Sequence, residues 1–370
     1  MKNTPNRTGS ADQAHSTVPA TLKDAFKDDF YVGAALNLEQ ISGREPAAMA
    51  VVEKHFNSIT PENIIKWEEI HPKPGQYNFE AADRYVAFGE AHRMHIIGHA
   101  LVWYHQTPDW VFQDDSGKPA GRETLLERLK EHIFTVMGRY RGRIHGWDVV
   151  NEAINMDGSW RKSRWYEILG EEYVAKAFEF ARQADPGAEL YYNEFDLEDR
   201  PKLDGVIGLI KGLEAKGVRV DGIGIQGHWF LDYPRVEAIE AQFEALAPLC
   251  PKLMITELDI GVLPFRRLES GIVDISSFDE ATRKNLNPYP TGLPDSVQRD
   301  LARRYAELFS LFRKHRDKLG RITFWGVHDG QTWRNYWPIT GRTEYPLLFD
   351  RRCQAKPAVE AVIKVGQGQA

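Results

Sequence analysis

Eight times along this chain a short apolar run of β-like composition is followed by a longer amphipathic stretch, the pattern of parallel strands joined by crossover helices. The candidate strands are residues 31–37, 57–60, 96–102, 146–150, 189–192, 222–226, 253–256 and 322–326. Helix candidates lie between them, among them 124–139, 164–184 and 296–315. Asp185-Pro186-Gly187 and Lys216-Gly217 supply helix stops just before the next strand, because proline breaks the helix and glycine tolerates positive φ. Eight such units in one chain of 370 residues predict an α/β protein folded as a single-domain (β/α)8, or TIM, barrel. An open doubly wound sheet is the alternative, but no Gly-x-Gly-x-x-Gly follows a strand.

Residues 261–295 break the pattern, being too long and too mixed in proline, serine and charge for a simple strand-to-helix loop. They are expected to form a long insertion after the seventh strand, passing over one barrel face. Residues 1–20 are polar and rich in proline, serine and threonine, and are expected to be a disordered tail preceding a catalytic domain over 21–370. With no apolar h-region this tail reads as no export signal. Two compartments stay open: the cytoplasm, or secretion or the periplasm after removal of a signal.

The net charge of −6 is interspersed, so no basic stripe exists for nucleic acid or an anionic membrane, and no protein partner is inferred. Cys250 and Cys353 belong to no Cys-x-x-Cys pair and read as idle thiols. No cofactor and no metal are expected.

Nearly every candidate strand ends in polar or aromatic residues that a structural strand end does not need: Glu62 and Asn63, His99 and Trp103, Asn151 and Glu152, Asn193 and Glu194, Gln226 and His228, Glu257 and Asp259, Trp325 and His328. In a closed barrel all of these are expected to converge on one mouth. Trp147-Asp148-Val149-Val150-Asn151-Glu152 delivers a carboxylate at the exit of the fourth strand, and Met254-Ile255-Thr256-Glu257 does so again at the seventh. Two carboxylates facing each other across a barrel mouth are the pair that glycosidic bond cleavage requires, one protonated and one ionised. Asn151 is placed to hold a substrate hydroxyl, and His228 with Asp259 to keep Glu257 ionised and oriented. Sugar rings present an apolar face to indoles and a rim of hydroxyls to amides and charges. Trp103, Trp325 and Trp333, alongside Glu62, Asn63, Lys66, His99 and Gln226, suit a neutral polysaccharide. Trp67, Trp147, Trp160 and Trp165 read as core packing.

These residues closely resemble those of the family 10 glycoside hydrolases, endo-β-1,4-xylanases. The likeness covers roughly residues 25–362 and rests on Phe56 to Asn63 with Lys66-Trp67-Glu68, Gly98 to Trp103, Trp147 to Glu152, Gly224 to His228, Ile255 to Asp259, and Phe324 to Val327, in the family's order. The resemblance implies Glu152 as acid/base and Glu257 as nucleophile of a retaining mechanism on xylan or xylo-oligosaccharides, with Asn151 on the 2-hydroxyl of the sugar being cleaved. Glu62, Asn63, Lys66, His99, Gln226 and Trp333 would hold the two non-reducing-side sugars, Trp103 and Trp325 would wall the catalytic subsite, and Asn193 is counted among the substrate contacts. Lys66 and Trp333 would crowd the hydroxymethyl of a hexose, which sets xylan apart from cellulose or mannan.

Two departures stand out. Phe195 and Asp196 occupy positions where the family often has Tyr and Asn for leaving-group contacts, and phenylalanine cannot donate that hydrogen bond. His328-Asp329-Gly330 replaces the commoner Thr-Asp, and Trp337 is extra. Rival readings are a metal-dependent sugar isomerase using His99, His105 and His228, and a non-catalytic xylan-binding barrel.

Overall fold

The computed structural model describes residues 21–114, 116–264 and 272–369. The tail expected over residues 1–20 lies outside them, as does part of the insertion. Eight parallel strands close into a ring: β1 Tyr31–Leu36, β2 Ser58–Pro61, β3 His95–Val102, β4 Gly146–Asn151, β5 Glu189–Glu194, β6 Gly222–Ile225, β7 Lys252–Gly261 and β8 Leu319–Phe324. Neighbours pair in chain order, and β8 pairs with both β1 and β7. The fold is the expected (β/α)8 barrel.

The strands bury both faces, as a barrel wrapped in helices requires, so β4 is buried at every position rather than alternating. The large core lies between ring and helices and takes in Trp67, Trp147 and Trp165, while Trp160 packs partly buried against it. Ile97, Tyr191 and Met254 form a separate small cluster. Side chains two residues further along each strand face the same way, so His99, Asn193 and Thr256 continue that inward row toward the carboxyl ends. Glycines clear space on both faces of the ring. A Cβ on Gly224 would stand 2.3 Å from Asn193 Oδ1, and one on Gly98 would stand 2.1 Å from the Trp147 ring.

Three differences from the expected boundaries have a local cause. The helix expected over 164–184 is two, Arg164–Leu169 and Glu172–Ala184, because Gly170 takes φ +64° and caps the first. β7 does not stop at Thr256 but runs to Gly261, since a short strand, His228–Phe230, pairs with its far end and supplies the backbone partners. Glu257 and Asp259 therefore sit on a strand rather than a loop. β8 begins and ends earlier than the pattern suggested, with Gly326 at φ +126° turning the chain out of the sheet.

The described part of the insertion after β7 lies on the carboxyl-end face. Its Val273–Asp274 pairs with Ile339–Thr340 from the loop after β8, and a helix follows at Glu280–Leu286. Among the described residues no helix is long and apolar enough to cross a membrane. Cys250 and Cys353 are unpaired.

Candidate active site

The carboxyl ends of the strands open into one cleft of about 1970 Å³. Its walls include Glu62, Asn63, Lys66, His99, Trp103, Asn151, Glu152, Gln226, His228, Glu257, Trp325 and Trp333, so these twelve sequence candidates come together.

Glu152 follows β4 directly and takes φ +60°, a left-handed conformation that a non-glycine residue adopts at a cost of about 1–3 kcal/mol. Its backbone is held from both sides: its N–H donates to the Asn193 carbonyl at 3.0 Å, and its carbonyl accepts from Arg161 Nε at 2.9 Å. The side chain is thereby turned into the cleft. Its Oε1 accepts from Gln226 Nε2 at 2.9 Å and Asn151 Nδ2 at 3.1 Å, and its Oε2 from Trp103 Nε1 at 3.0 Å.

Glu257 is also buried, and it has a different set of partners. Its Oε1 accepts from Asn193 Nδ2 at 2.8 Å and its Oε2 from His228 Nε2 at 3.1 Å. His228 donates its other ring nitrogen, Nδ1, to Asp259 Oδ1 at 3.0 Å. Burial works against charge on this imidazole, but Asp259 and then Glu257 outweigh it and push its pKa up to about 9. Asp259 experiences the converse: against burial, the charges of Arg334 and His228 hold its pKa down to about 2. For Glu257 burial alone would raise the carboxyl, yet the His228 hydrogen bond and the electrostatic influence of His99, His228 and Lys66 keep it below its ordinary value.

One cleft wall is built by the residues after β2. Lys66 Nζ donates to Asn63 Oδ1 at 2.9 Å and Gln106 Oε1 at 3.0 Å, and lies 4.5 Å from the centre of the Trp103 ring. Burial raises the Glu62 carboxyl and lowers the Lys66 ammonium, each partly offset by the other's charge. On β3, His99 pairs through Nδ1 with Asp148 Oδ2 at 2.8 Å and meets the Trp325 ring edge-on.

Four expected members do not line the mouth. Asn193 is fully buried beneath the floor, where its amide nitrogen serves Glu257 and Asn151 Oδ1 (2.9 Å) and its oxygen accepts from Thr256 Oγ1 at 2.6 Å, leaving nothing for a sugar. Asp259 lies equally deep behind His228. Glu194 is buried in an ion pair with Lys202 at 2.9 Å and accepts from Tyr192 Oη at 2.7 Å. His328 turns away to Glu45, Nε2 to Oε2 at 3.3 Å. A strand end carries side chains on two faces, and sequence position alone does not say which face reaches the opening.

The opposite end of the cleft is lined by Phe195, Asp196, Glu198, Asp199 and Tyr233 from the loops after β5 and β6. Phe195 presses its ring on the Lys202 ammonium, 3.0 Å from the ring centre. Burial, then Asp196, raises the Glu198 carboxyl to about 7. Trp337 is 46% exposed and stands beside Trp333 with ring centres 5.3 Å apart.

The sequence reading passed over Asp148, Tyr104, Gln106 and Arg334. Asp148 had a signal, a charge in the middle of a buried apolar run. Arg334 had none, since it sits in an irregular loop and finds Asp259 only through the fold.

His99 and His228, two of the three imidazoles a metal reading would need, are already engaged by carboxylates, and among the described residues no three His, Cys, Asp or Glu side chains gather as metal ligands do. Two carboxylates joined by a shared amide network under an indole-walled cleft are instead equipped to cut a glycosidic bond. By fold and site the molecule is a glycoside hydrolase.

Comparison with known proteins narrows that class. Residues 21–365 match the model of Glycosyl hydrolase family 10, and the chain belongs to this family. It is 42% identical to endo-1,4-beta-xylanase A of Xylanibacter ruminicola over 345 residues, 93% of each chain. It is 40% identical to a beta-1,4-xylanase of Dictyoglomus thermophilum over 93% of this chain and 90% of that one. Among solved structures, an endoxylanase of the same family retrieved from sugarcane soil metagenome superposes with a TM-score of 0.89 at 43% identity, covering 93% of this chain and 99% of that one.

Proposed function

We propose that this retaining endo-β-1,4-xylanase uses Glu152 as its general acid/base and Glu257 as its nucleophile. The observation that carries the assignment is an asymmetry of partners: Glu257 is hydrogen-bonded to an imidazolium, whereas Glu152 accepts from the neutral N–H groups of Gln226, Asn151 and Trp103. A carboxylate beside a buried cation stays ionised and ready to attack, which fits Glu257 for the nucleophile and leaves the acid/base role to Glu152.

In the first step Glu257 bonds to the anomeric carbon as the glycosidic C–O bond breaks, and Glu152 passes its proton to the departing oxygen. In the second, Glu152 takes a proton from water, the water oxygen attacks the same carbon, and the ester to Glu257 breaks. Two inversions leave the configuration retained. Asn151 meets the 2-hydroxyl, while Glu62, Asn63, Lys66, His99, Gln226 and Trp333 hold the non-reducing side, with Trp103 and Trp325 walling the reacting ring. The substrate is xylan or a xylo-oligosaccharide, the polymer named for the relatives.

Proton NMR of fresh xylohexaose digests tests this directly. The β-anomer of internally cut products appears first; an initial α-anomer, or binding without any new reducing ends, overturns the reading.

A further inference from the structure

We propose that Arg334 is a positioning residue for the nucleophile: acting through Asp259, it holds the His228–Glu257 pair in line and ties it to the Trp333 wall of the cleft. This rests on the assignment of Glu257 above. Arg334 is 4% exposed and reaches Asp259 Oδ1 with both Nε (2.9 Å) and Nη2 (2.8 Å). The same oxygen accepts from His228, and Asp259 Oδ2 accepts from Trp333 Nε1 at 2.6 Å. One fully buried carboxylate thus gathers the guanidinium, the imidazolium behind the nucleophile, and a sugar-facing indole.

The position is built for a guanidinium. Nη2 also donates to the Trp229 carbonyl at 3.2 Å, and the cation lies 4.7 Å from the Phe230 ring centre. Gly261 ends β7 without a side chain, where a Cβ would stand 2.8 Å from Arg334 Nη1 and 2.7 Å from Phe230. Along the chain Arg334, Asp259, His228, Glu257 the charges alternate in sign. Taking away the guanidinium leaves His228 to balance the buried Asp259 charge, and Asp259 free to draw His228 toward itself and away from Glu257.

The titratable groups facing Glu257 are Glu62 and Lys66 from beyond β2, His99 from β3, Glu152 from beyond β4, His228 from beyond β6 and Asp259 on its own strand. Arg342 and Glu344 face Arg334. An added net negative charge in this set strengthens proton binding at Glu257, which must be ionised to attack. The acid limb of the kcat/KM profile then moves to higher pH.

The test compares Arg334→Gln, Arg334→Lys and Glu257→Ala on an aryl β-xylobioside, with active sites counted by burst titration so that misfolded protein does not enter the rate. Arg334→Gln is expected to lower kcat per active site about 10–100-fold and to raise the acid limb by about one pH unit, with Arg334→Lys restoring part of both. Losses with an unmoved acid limb, or no loss per active site, overturn the proposal. Turnover surviving in Glu257→Ala instead overturns the nucleophile assignment.

Discussion

Asn193 donates to Glu257 from beneath the cleft floor, Nδ2 to Oε1 at 2.8 Å, while the other hydrogen of the same nitrogen is aimed at Asn151 Oδ1 at 2.9 Å. One amide on β5 therefore spans the two halves of the site. Replacing it with alanine removes a donor from the nucleophile and unpins Asn151. Asn193→Ala is expected to lower kcat about 100-fold with a smaller change in KM, since a preorganised donor matters most as charge develops. Steady-state kinetics on xylohexaose check it, and a change confined to KM would return Asn193 to the role of a sugar contact.

The two carboxylates respond differently to the leaving group. Glu257→Ala is expected to abolish turnover of every substrate. Glu152→Ala is expected to spare the first step for activated aryl xylobiosides, which need no proton to depart, and to lose it for xylan. Equal losses on both substrate types in Glu152→Ala would contradict the acid assignment.

Lys202 and Glu194 are both fully buried, and removing one partner of such a pair strands the other's charge. Lys202→Met is expected to cost about 3–5 kcal/mol of stability, read by chemical denaturation. The double variant Lys202→Met/Glu194→Leu should recover much of that loss. Because Lys202 also backs the Phe195 ring in the cleft wall, the single variant should weaken binding of longer oligosaccharides. Unchanged stability in Lys202→Met would show the pair to be solvated in solution.

Two groups of histidines set stability against pH. Burial lowers His71 to about 4 and pushes His132, stacked 3.7 Å from Trp67, well below its ordinary value. Between pH 6.5 and about 4 the unfolded chain binds more protons at these sites than the folded one. Stability therefore falls as pH falls through that window. His228 behaves oppositely: with its pKa raised to about 9, its contribution is complete below pH 6.5 and is lost as pH rises through 9. Thermal unfolding across pH should show both slopes, with His71→Phe flattening the acid one and His228→Asn the alkaline one. Slopes untouched by these variants would place the pH dependence elsewhere.

The sequence by itself determined the architecture and singled out the two carboxylates proposed to act. Strands buried on both faces must read as continuous apolar runs and helices must carry amphipathic stretches, so eight units and their order are written in local composition. Glu152 and Glu257 were legible because each stands in or directly after a mostly apolar run, where an unneeded charge is costly. The family likeness then added roles that no single motif carried.

What the tertiary structure alone decided is which polar groups reach the opening and which lie beneath it. Asn193 and Asp259 look, in one dimension, like neighbours of equal standing to Asn151 and Glu257. Closure of the ring placed them underneath, where their hydrogen-bonding capacity is spent on protein partners. Arg334 lies 75 residues from Asp259 along the chain and in direct contact with it in space. Hydrogen bonding and charge act over a few ångströms whatever the separation in sequence, so such pairings exist only once the chain has closed on itself.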